Sequence, residues 1–274
     1  MLNPMSSTPS APRLIVTVLG SGTSQGVPMI GCRCEVCQSP DPRDNRTRSS
    51  IFLDTPEAKI LVDTTPDLRQ QALRENLDHV DAVLITHPHA DHIMGFDDLR
   101  RFCQIQNAAL PVYGSAETMD RMQHFFHYAF NPKKIVPGYV HALPHIVTGP
   151  FELGGLELTP LPVPHGAVST YGFLFSRRGR KLLAYLSDCG AVPDPIRALI
   201  SGIEVLIIDG LRDAPHPTHL TTQGAVEVAK AVGAGRSFLT HLTHEKRYVD
   251  RVLDLPEGVG LAYDGMKLEF DWGV

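Results

Sequence analysis

Apolar residues recur along this chain in runs of strand length, at 14–19, 50–54, 59–63, 82–86 and 111–114. They return at 156–161, 171–176, 182–187, 204–209, 236–240, 259–263 and 266–270. Between some of these runs the apolar spacing becomes helical, which predicts helices over Pro66–Glu75, Asp91–Gln106, Ala116–Tyr128, Pro193–Ile200, Thr221–Val232 and Glu245–Leu253. Several open on Pro, Ser, Thr or Asp, residues that suit a helix start. Hairpins are expected at Glu57-Ala58, Gly154-Gly155 and Arg177-Arg178-Gly179-Arg180, so part of the sheet structure is antiparallel. The pattern is mixed α/β, with helices covering two packed sheets. No internal repeat or long Pro/Gly/Ser linker divides the chain, so one domain is expected over 14–274 behind a loose Ser-, Pro- and Ala-rich tail at 1–13.

Composition narrows this picture only in places. A 43% hydrophobic content over 274 residues supports a sizeable core and a soluble globular protein. The net charge of -5 supplies no global basic field, which argues against binding long nucleic acid through phosphate neutralisation and favours a small substrate. The N-terminus lacks the basic and apolar regions of a signal peptide, and no run is long enough to span a bilayer, so a cytoplasmic location without membrane contact is expected. A homodimer is compatible with the sequence, which leaves oligomeric state open.

The chemistry concentrates in Thr86-His87-Pro88-His89-Ala90-Asp91-His92, which follows the strand-like Ala82–Ile85. Three imidazoles and a carboxylate packed this closely repel one another or lose solvation unless a divalent cation uses their lone pairs. His165, Asp188 and His241 each stand at the end of a later apolar run, where α/β proteins mount ligands. Taken singly, a His or Asp in such a place is more often a capped or hydrogen-bonded structural residue than a ligand.

With these positions in view, the chain resembles the metallo-β-lactamase superfamily, whose His-x-His-x-Asp-His signature stands at 87–92 and is followed by a distant His, an Asp and a last His. The resemblance implies a four-layer αββα sandwich around two metals. His87, His89 and His165 would hold one, Asp91, His92 and His241 the other, and Asp188 would bridge them. It also implies that Asp63, after Ile60-Leu61-Val62, orients a ligand imidazole rather than binding metal. These ligands suit Mn or Zn, and also Fe or Ni.

Five cysteines form no disulfide pattern, and three lie in Cys32-Arg33-Cys34-Glu35-Val36-Cys37. Three thiolates need one more ligand for a tetrahedral structural zinc, and His244 in Thr240-His241-Leu242-Thr243-His244 is the natural fourth. The inserted zinc loop would span about 31–50. The leader Gly22–Pro28, the cysteine spacing and the closing Thr-His-x-x-His are similar to the PhnP-like cyclic phosphodiesterases, and PqqB-like proteins share the cysteine cluster. Gly20–Gly26 lacks the Gly-Lys-Ser/Thr ending of a nucleotide P-loop and reads as a tight loop leading to the cysteines. The aromatic stretch His124–Tyr139, with Lys133 and Lys134, serves either as a substrate wall or lid or as ordinary core.

The PhnP-like resemblance implies a binuclear metal-dependent phosphodiesterase that hydrolyses a small, cyclic ribose or nucleotide phosphodiester to a phosphomonoester. By the same resemblance His219, just before a helix start, protonates the leaving oxygen, with His216 as the fallback. A tRNA 3′-processing endonuclease shares these ligands, but no long basic Gly/Pro/Lys-rich arm is evident in the chain. A PqqB-like non-hydrolytic metabolite carrier is the alternative outside catalysis.

Overall fold

A computed structural model describes residues 12–131 and 138–273. Two seven-stranded mixed sheets face each other. The first has the order β14-β1-β2-β3-β4-β5-β6, built from β1 (Arg13–Gly20), β2 (Ser50–Asp54), β3 (Lys59–Val62), β4 (Ala82–Leu84), β5 (Leu110–Gly114), β6 (Ala142–Ile146) and the returning β14 (Lys267–Asp271). The second runs β13-β12-β11-β10-β9-β8-β7, from β7 (Phe151–Leu153), β8 (Leu156–His165), β9 (Val168–Arg177), β10 (Arg180–Leu186), β11 (Val205–Asp209), β12 (Arg236–Thr240) and β13 (Val259–Leu261).

Strand alternation divides the apolar residues between faces. In β10, Leu183 and Tyr185 enter the core between the sheets, while Ala184 and Leu186 face the outer helices. Helices α1 (Leu68–Glu75), α2 (Ala90–Ile93), α3 (Arg100–Gln106) and α4 (Ala116–Phe125) accompany the first sheet. Helices α5 (Asp194–Leu199), α6 (Thr222–Val232) and α7 (Tyr248–Leu253) cover the second. This is the expected αββα sandwich, and the three predicted hairpins join β2 to β3, β7 to β8 and β9 to β10. Among the described residues no helix is long and apolar enough to cross a membrane.

Four local expectations need correction. Arg13 already pairs with Asp271 in β1, so the strand claims one residue of the expected tail, whose residues 1–11 lie outside the described ones. Ser50 likewise belongs to β2, where it shortens the loop at 31–50. The predicted helix at Asp91–Gln106 is broken into α2, a 3-10 turn at Phe96–Leu99 and α3. Its interruption comes from the segment after β3: the Gly95 amide donates to Thr64 O at 2.9 Å, and the Thr64 amide donates to His92 O at 2.8 Å. Lastly, β6 was not anticipated, because it is a solvent-exposed edge without an apolar face, and the three-residue β7 was implied only as the first arm of the hairpin at Gly154-Gly155.

The aromatic stretch after α4 is partly core. Phe126 and Phe130 are buried against Phe96, with ring centroids 4.8 and 5.5 Å away. Lys133 and Lys134 lie outside the described residues.

The close docking at Gly95 is directly testable. A Cβ there would lie 1.8 Å from Thr65 O, which is backbone and cannot rotate away. Gly95→Ala should therefore lower stability by about 1–3 kcal/mol in urea unfolding; an unchanged midpoint would show that the Thr64–Thr65 segment yields freely.

Candidate metal centre

The parallel strands of both sheets end on the same side of the molecule, and their ends carry the chemistry. Asp63 follows β3, His87 follows β4, Asp188 follows β10, Asp209 ends β11 and His241 follows β12. Asp63 and His241 both adopt left-handed backbone, φ 64° and 58°, which turns the chain sharply as it leaves the sheet.

The first imidazole set is His87, His89 and His165. His87 Nε2 and His89 Nδ1 are 2.9 Å apart, and His165 Nε2 is 3.2 Å from His89 Nδ1. Backing groups define which ring atoms face inward. The His165 Nδ1–H donates to Thr218 O at 3.0 Å, and His87 Nδ1 lies 3.0 Å from the Thr86 hydroxyl. Burial pushes the His87 pKa well below the ordinary imidazole value and lowers those of His89 and His165 as well. The set is thus a cluster of neutral lone pairs.

The second set is Asp91, His92, Asp188 and His241. His92 Nε2 is 3.3 Å from Asp91 Oδ2 and 3.2 Å from Asp188 Oδ1, while His241 Nε2 is 3.2 Å from Asp188 Oδ2. Asp188 Oδ2 also lies 3.8 Å from His165 Nε2, so this carboxylate reaches toward both sets. Burial disfavours charge on His92, but Asp188, Asp91 and Asp63 outweigh it and push its pKa well above the usual value. Burial also disfavours the Asp188 carboxylate, yet His241 and His92 hold its pKa well below the usual range. Cation binding here must therefore release protons.

Asp63 stands behind this set. It accepts from His92 Nδ1 at 2.8 Å, from the Thr86 amide at 2.8 Å and from the Thr86 hydroxyl at 2.9 Å. All the side chains expected at the active site are thereby brought together, with Asp63 one step removed.

The donor set fits divalent cations on direct physical grounds. His92 Nε2, Asp188 Oδ1 and both ring nitrogens of His241 are buried and make no well-formed hydrogen bond, His92 Nε2 and His241 Nε2 meeting only carboxylates of the same set, at 3.2 Å from Asp188. Unpaired polar atoms buried this deeply are costly, and a cation is the partner that satisfies a convergent set of nitrogens and carboxylate oxygens.

His219 occupies the next position outward. Its ring stacks on His241 at 4.7 Å between centroids and meets His165 edge-on at 4.7 Å. Its Nδ1 is 2.6 Å from Asp209 Oδ2. The buried Asp209 carboxylate also accepts the amides of Cys189 and Leu211 at 3.0 and 3.1 Å. Asp209 was missed in the sequence, although Val205-Leu206-Ile207-Ile208-Asp209 repeats the apolar-run-then-aspartate signal that drew attention to Asp188. His216 sits farther out, 5.0 Å from the His219 ring, with Nδ1 accepting the Thr218 amide at 3.3 Å.

The cysteine loop forms a separate cluster. One ligand atom each from Cys32, Cys34, Cys37 and His244 lie within 4.8 Å of one another. His244 Nδ1 is 3.5 Å from Cys32 Sγ and 3.2 Å from Cys34 Sγ. The Cys37 amide and His244 lower the Cys34 pKa to about 6, which favours the thiolate form that binds metal. Buried Arg46 ties this loop to the neighbouring strand end through Thr243 O and Lys246 O, with Asp44 as its counter-charge at 2.7 Å. The Gly20–Gly26 loop packs tightly on the same region: a Cβ at Gly22 would lie 2.5 Å from Arg46 O.

Comparison with known proteins agrees with this geometry. The family model of the beta-lactamase superfamily domain matches residues 58–242. A crystal structure of a new diphosphatase from the PhnP family is 41% identical, with TM-score 0.86, covering 94% of this chain and 97% of that one. Zn(2+)-bound PqqB from Methylobacterium extorquens has the same fold at 23% identity and TM-score 0.75, covering 93% and 99% of the two chains. An octanoyltransferase from Porphyromonas gingivalis is 36% identical over 262 residues, which are 93% of this chain and 51% of the relative. The chain thus spans about half the length of that relative, whose named activity belongs to the longer protein. The chain belongs to the metallo-β-lactamase superfamily, in the branch that includes the PhnP family.

Proposed function

We propose that this metallo-β-lactamase-fold hydrolase is a binuclear metal-dependent phosphodiesterase acting on a small phosphodiester, a cyclic ribose or nucleotide phosphate in the first instance. The observation that carries the reading is the pair of convergent donor sets with Asp188 between them. His87, His89 and His165 would hold one divalent cation, Asp91, His92 and His241 the second, and Asp188 would contact both. Bound Mn or Zn supplies Lewis acidity at phosphorus and makes water a competent nucleophile near neutral pH.

The chain's own groups then divide the work. Asp63 and Thr86 fix the orientation of His92 and His87, so that the donors are placed before substrate arrives. Asp209 engages His219 Nδ1, so Nε2 is the atom that delivers a proton to the leaving oxygen as the P–O bond breaks. That oxygen keeps the bonding electron pair, and the product is a phosphomonoester. The orphaned donors of the second set speak against a metabolite carrier, which has no need of them. The diphosphatase neighbour favours cleavage of a P–O–P bond as a second reading. A departing phosphate is a far better leaving group than an alkoxide, so that reaction would depend less on His219.

Three outcomes are expected. Protein loaded with Mn²⁺ or Zn²⁺ should hydrolyse bis(p-nitrophenyl) phosphate, and Asp188→Ala should reduce this to background; if loaded wild type and variant are equally inactive, the enzyme reading fails. His219→Ala should keep its active-site metal while kcat on an alkyl phosphodiester falls about 10²–10⁴-fold; loss of metal from that variant would instead mark His219 as a ligand. Cys34→Ser should lose one zinc per chain by metal analysis and unfold at lower temperature, whereas unchanged zinc would remove the proposed Cys32, Cys34, Cys37 and His244 site.

A further inference from the structure

Arg251, on α7, is buried outside the donor sets, and its guanidinium meets carbonyls and a hydroxyl rather than a carboxylate. Nη2 donates to Gly210 O and, at 2.6 Å, to the Thr222 hydroxyl, while Nη1 reaches Leu211 O at 3.4 Å. Its Nε is buried without a hydrogen-bond partner. Burial pulls its pKa down to about 10, so the group is still a cation at neutral pH. A cation buried this way costs stability, which makes the groups it holds informative.

Those groups lie at the two ends of one loop. Gly210 and Leu211 follow Asp209 at the end of β11, Thr222 opens α6, and the loop between them carries His219. Backbone bonds already join the two legs, from the Leu211 amide to Leu220 O at 3.1 Å and from the Thr222 amide to Arg212 O at 3.0 Å. Arg251 bridges the same legs through its planar fork. The Gly210 carbonyl it holds belongs to the same peptide group as the Leu211 N–H, which donates to Asp209 Oδ1 at 3.1 Å. The other oxygen of Asp209 lies 2.6 Å from His219 Nδ1. A continuous hydrogen-bonded chain therefore runs from the guanidinium through one peptide and one carboxylate to the His219 ring, and each bond polarises the next in the same sense.

We propose that Arg251 is a positioning residue for the proton donor His219, acting through the Gly210–Leu211 peptide and Asp209. The inference rests on the phosphodiesterase reading and deepens it by tying proton delivery to a side chain on an outer helix. With the peptide fixed, Asp209 keeps His219 Nδ1 engaged and leaves Nε2 for the departing oxygen. Without Arg251 the peptide and the carboxylate relax together, and the oxygen leaves with its electron pair but without a proton. That loss matters for a basic leaving group and little for one that departs readily as an anion. Dependence on the leaving group is thus the signature that separates positioning of the acid from a general loosening of the fold.

The test measures kcat of the Mn²⁺-loaded full chain on diphenyl phosphate and on bis(p-nitrophenyl) phosphate, diesters of similar shape. Phenol, with a pKa of about 10, leaves as a much stronger base than p-nitrophenol and needs the proton more. Arg251→Gln should lower the ratio of the first kcat to the second about tenfold, in the direction set by His219→Ala. Arg251→Lys keeps the charge but not the fork and should recover part of the ratio. Adding Arg251→Gln to His219→Ala should lower the ratio no further, because both act through one proton transfer. Thr222→Val removes one acceptor of the guanidinium and should move the ratio in the same direction; it carries the test if Arg251→Gln does not fold. Equal losses on both substrates, a further fall in the double variant, or loss of active-site metal from Arg251→Gln overturns the proposal. So does a wild-type ratio that survives His219→Ala, since no acid is then left to position. Failure of wild type on bis(p-nitrophenyl) phosphate would instead sink the phosphodiesterase reading itself.

Discussion

The structure is organised around one electrostatic constraint: two groups of lone-pair donors must sit within a few ångström of each other in a place largely closed to water. Isolated, such groups repel or neutralise one another. The sandwich resolves this by distributing them over the ends of strands from both sheets, so no single segment carries the whole repulsion. His87, His89, Asp91 and His92 come from one loop of the first sheet, while His165, Asp188 and His241 come from three strand ends of the second. The interface between the sheets is filled by Leu183, Tyr185, Val205 and Ile207 against Val16, Ile51, Leu53 and Val62, and packing of this kind resists the spreading that the charges would otherwise drive.

The two donor groups are also kept chemically different. His87, His89 and His165 are neutral because burial dominates them, with Thr86 and Thr218 available to their outer nitrogens. His92 and His241 are surrounded by Asp63, Asp91, Asp188 and Asp209, and those carboxylates reverse the effect of burial. A three-nitrogen set beside a carboxylate-rich set would differ in affinity for a divalent cation, since ligand charge as well as ligand type sets binding strength. Asp188 reaches toward both sets, its Oδ1 3.2 Å from His92 Nε2 and its Oδ2 3.8 Å from His165 Nε2.

Much of this was legible from strand-length apolar runs, because each run ends where its ligand begins. The positions of His165, Asp188 and His241 were marked out as candidates by that rule, and the resemblance then made them a set and added Asp63. Asp209 obeys the same rule and still escaped notice, because its partner His219 is ten residues away and the pairing exists only once β11 and the following loop fold together. The helix at 91–106 failed for a related reason. Its apolar spacing is helical, but the Gly95 amide is claimed by Thr64 from the end of β3, and no local pattern announces a tertiary hydrogen bond. Strand β6 was invisible because Leu143, Pro144, His145 and Ile146 are all exposed at a sheet edge, leaving no buried face to alternate against.

The cysteine loop is best understood through the same strand end that serves the metal centre. His241 and His244 are three residues apart, yet one faces the buried donor set and the other the thiols. Left-handed backbone at His241 provides the turn, and Arg46 holds its far side by binding Thr243 O and Lys246 O. Arg46 is fully buried beside Asp44, and Asp44 in turn accepts the Tyr248 amide at 2.7 Å, so the loop grips the segment at both ends of the turn. A surface turn of this length would ordinarily move independently of its surroundings. With His244 against Cys32 and Cys34 on one side and the buried Arg46 guanidinium on the other, it is a well-anchored mount for His241. A zinc there would therefore act at a distance, by limiting how far the last ligand of the metal centre can move.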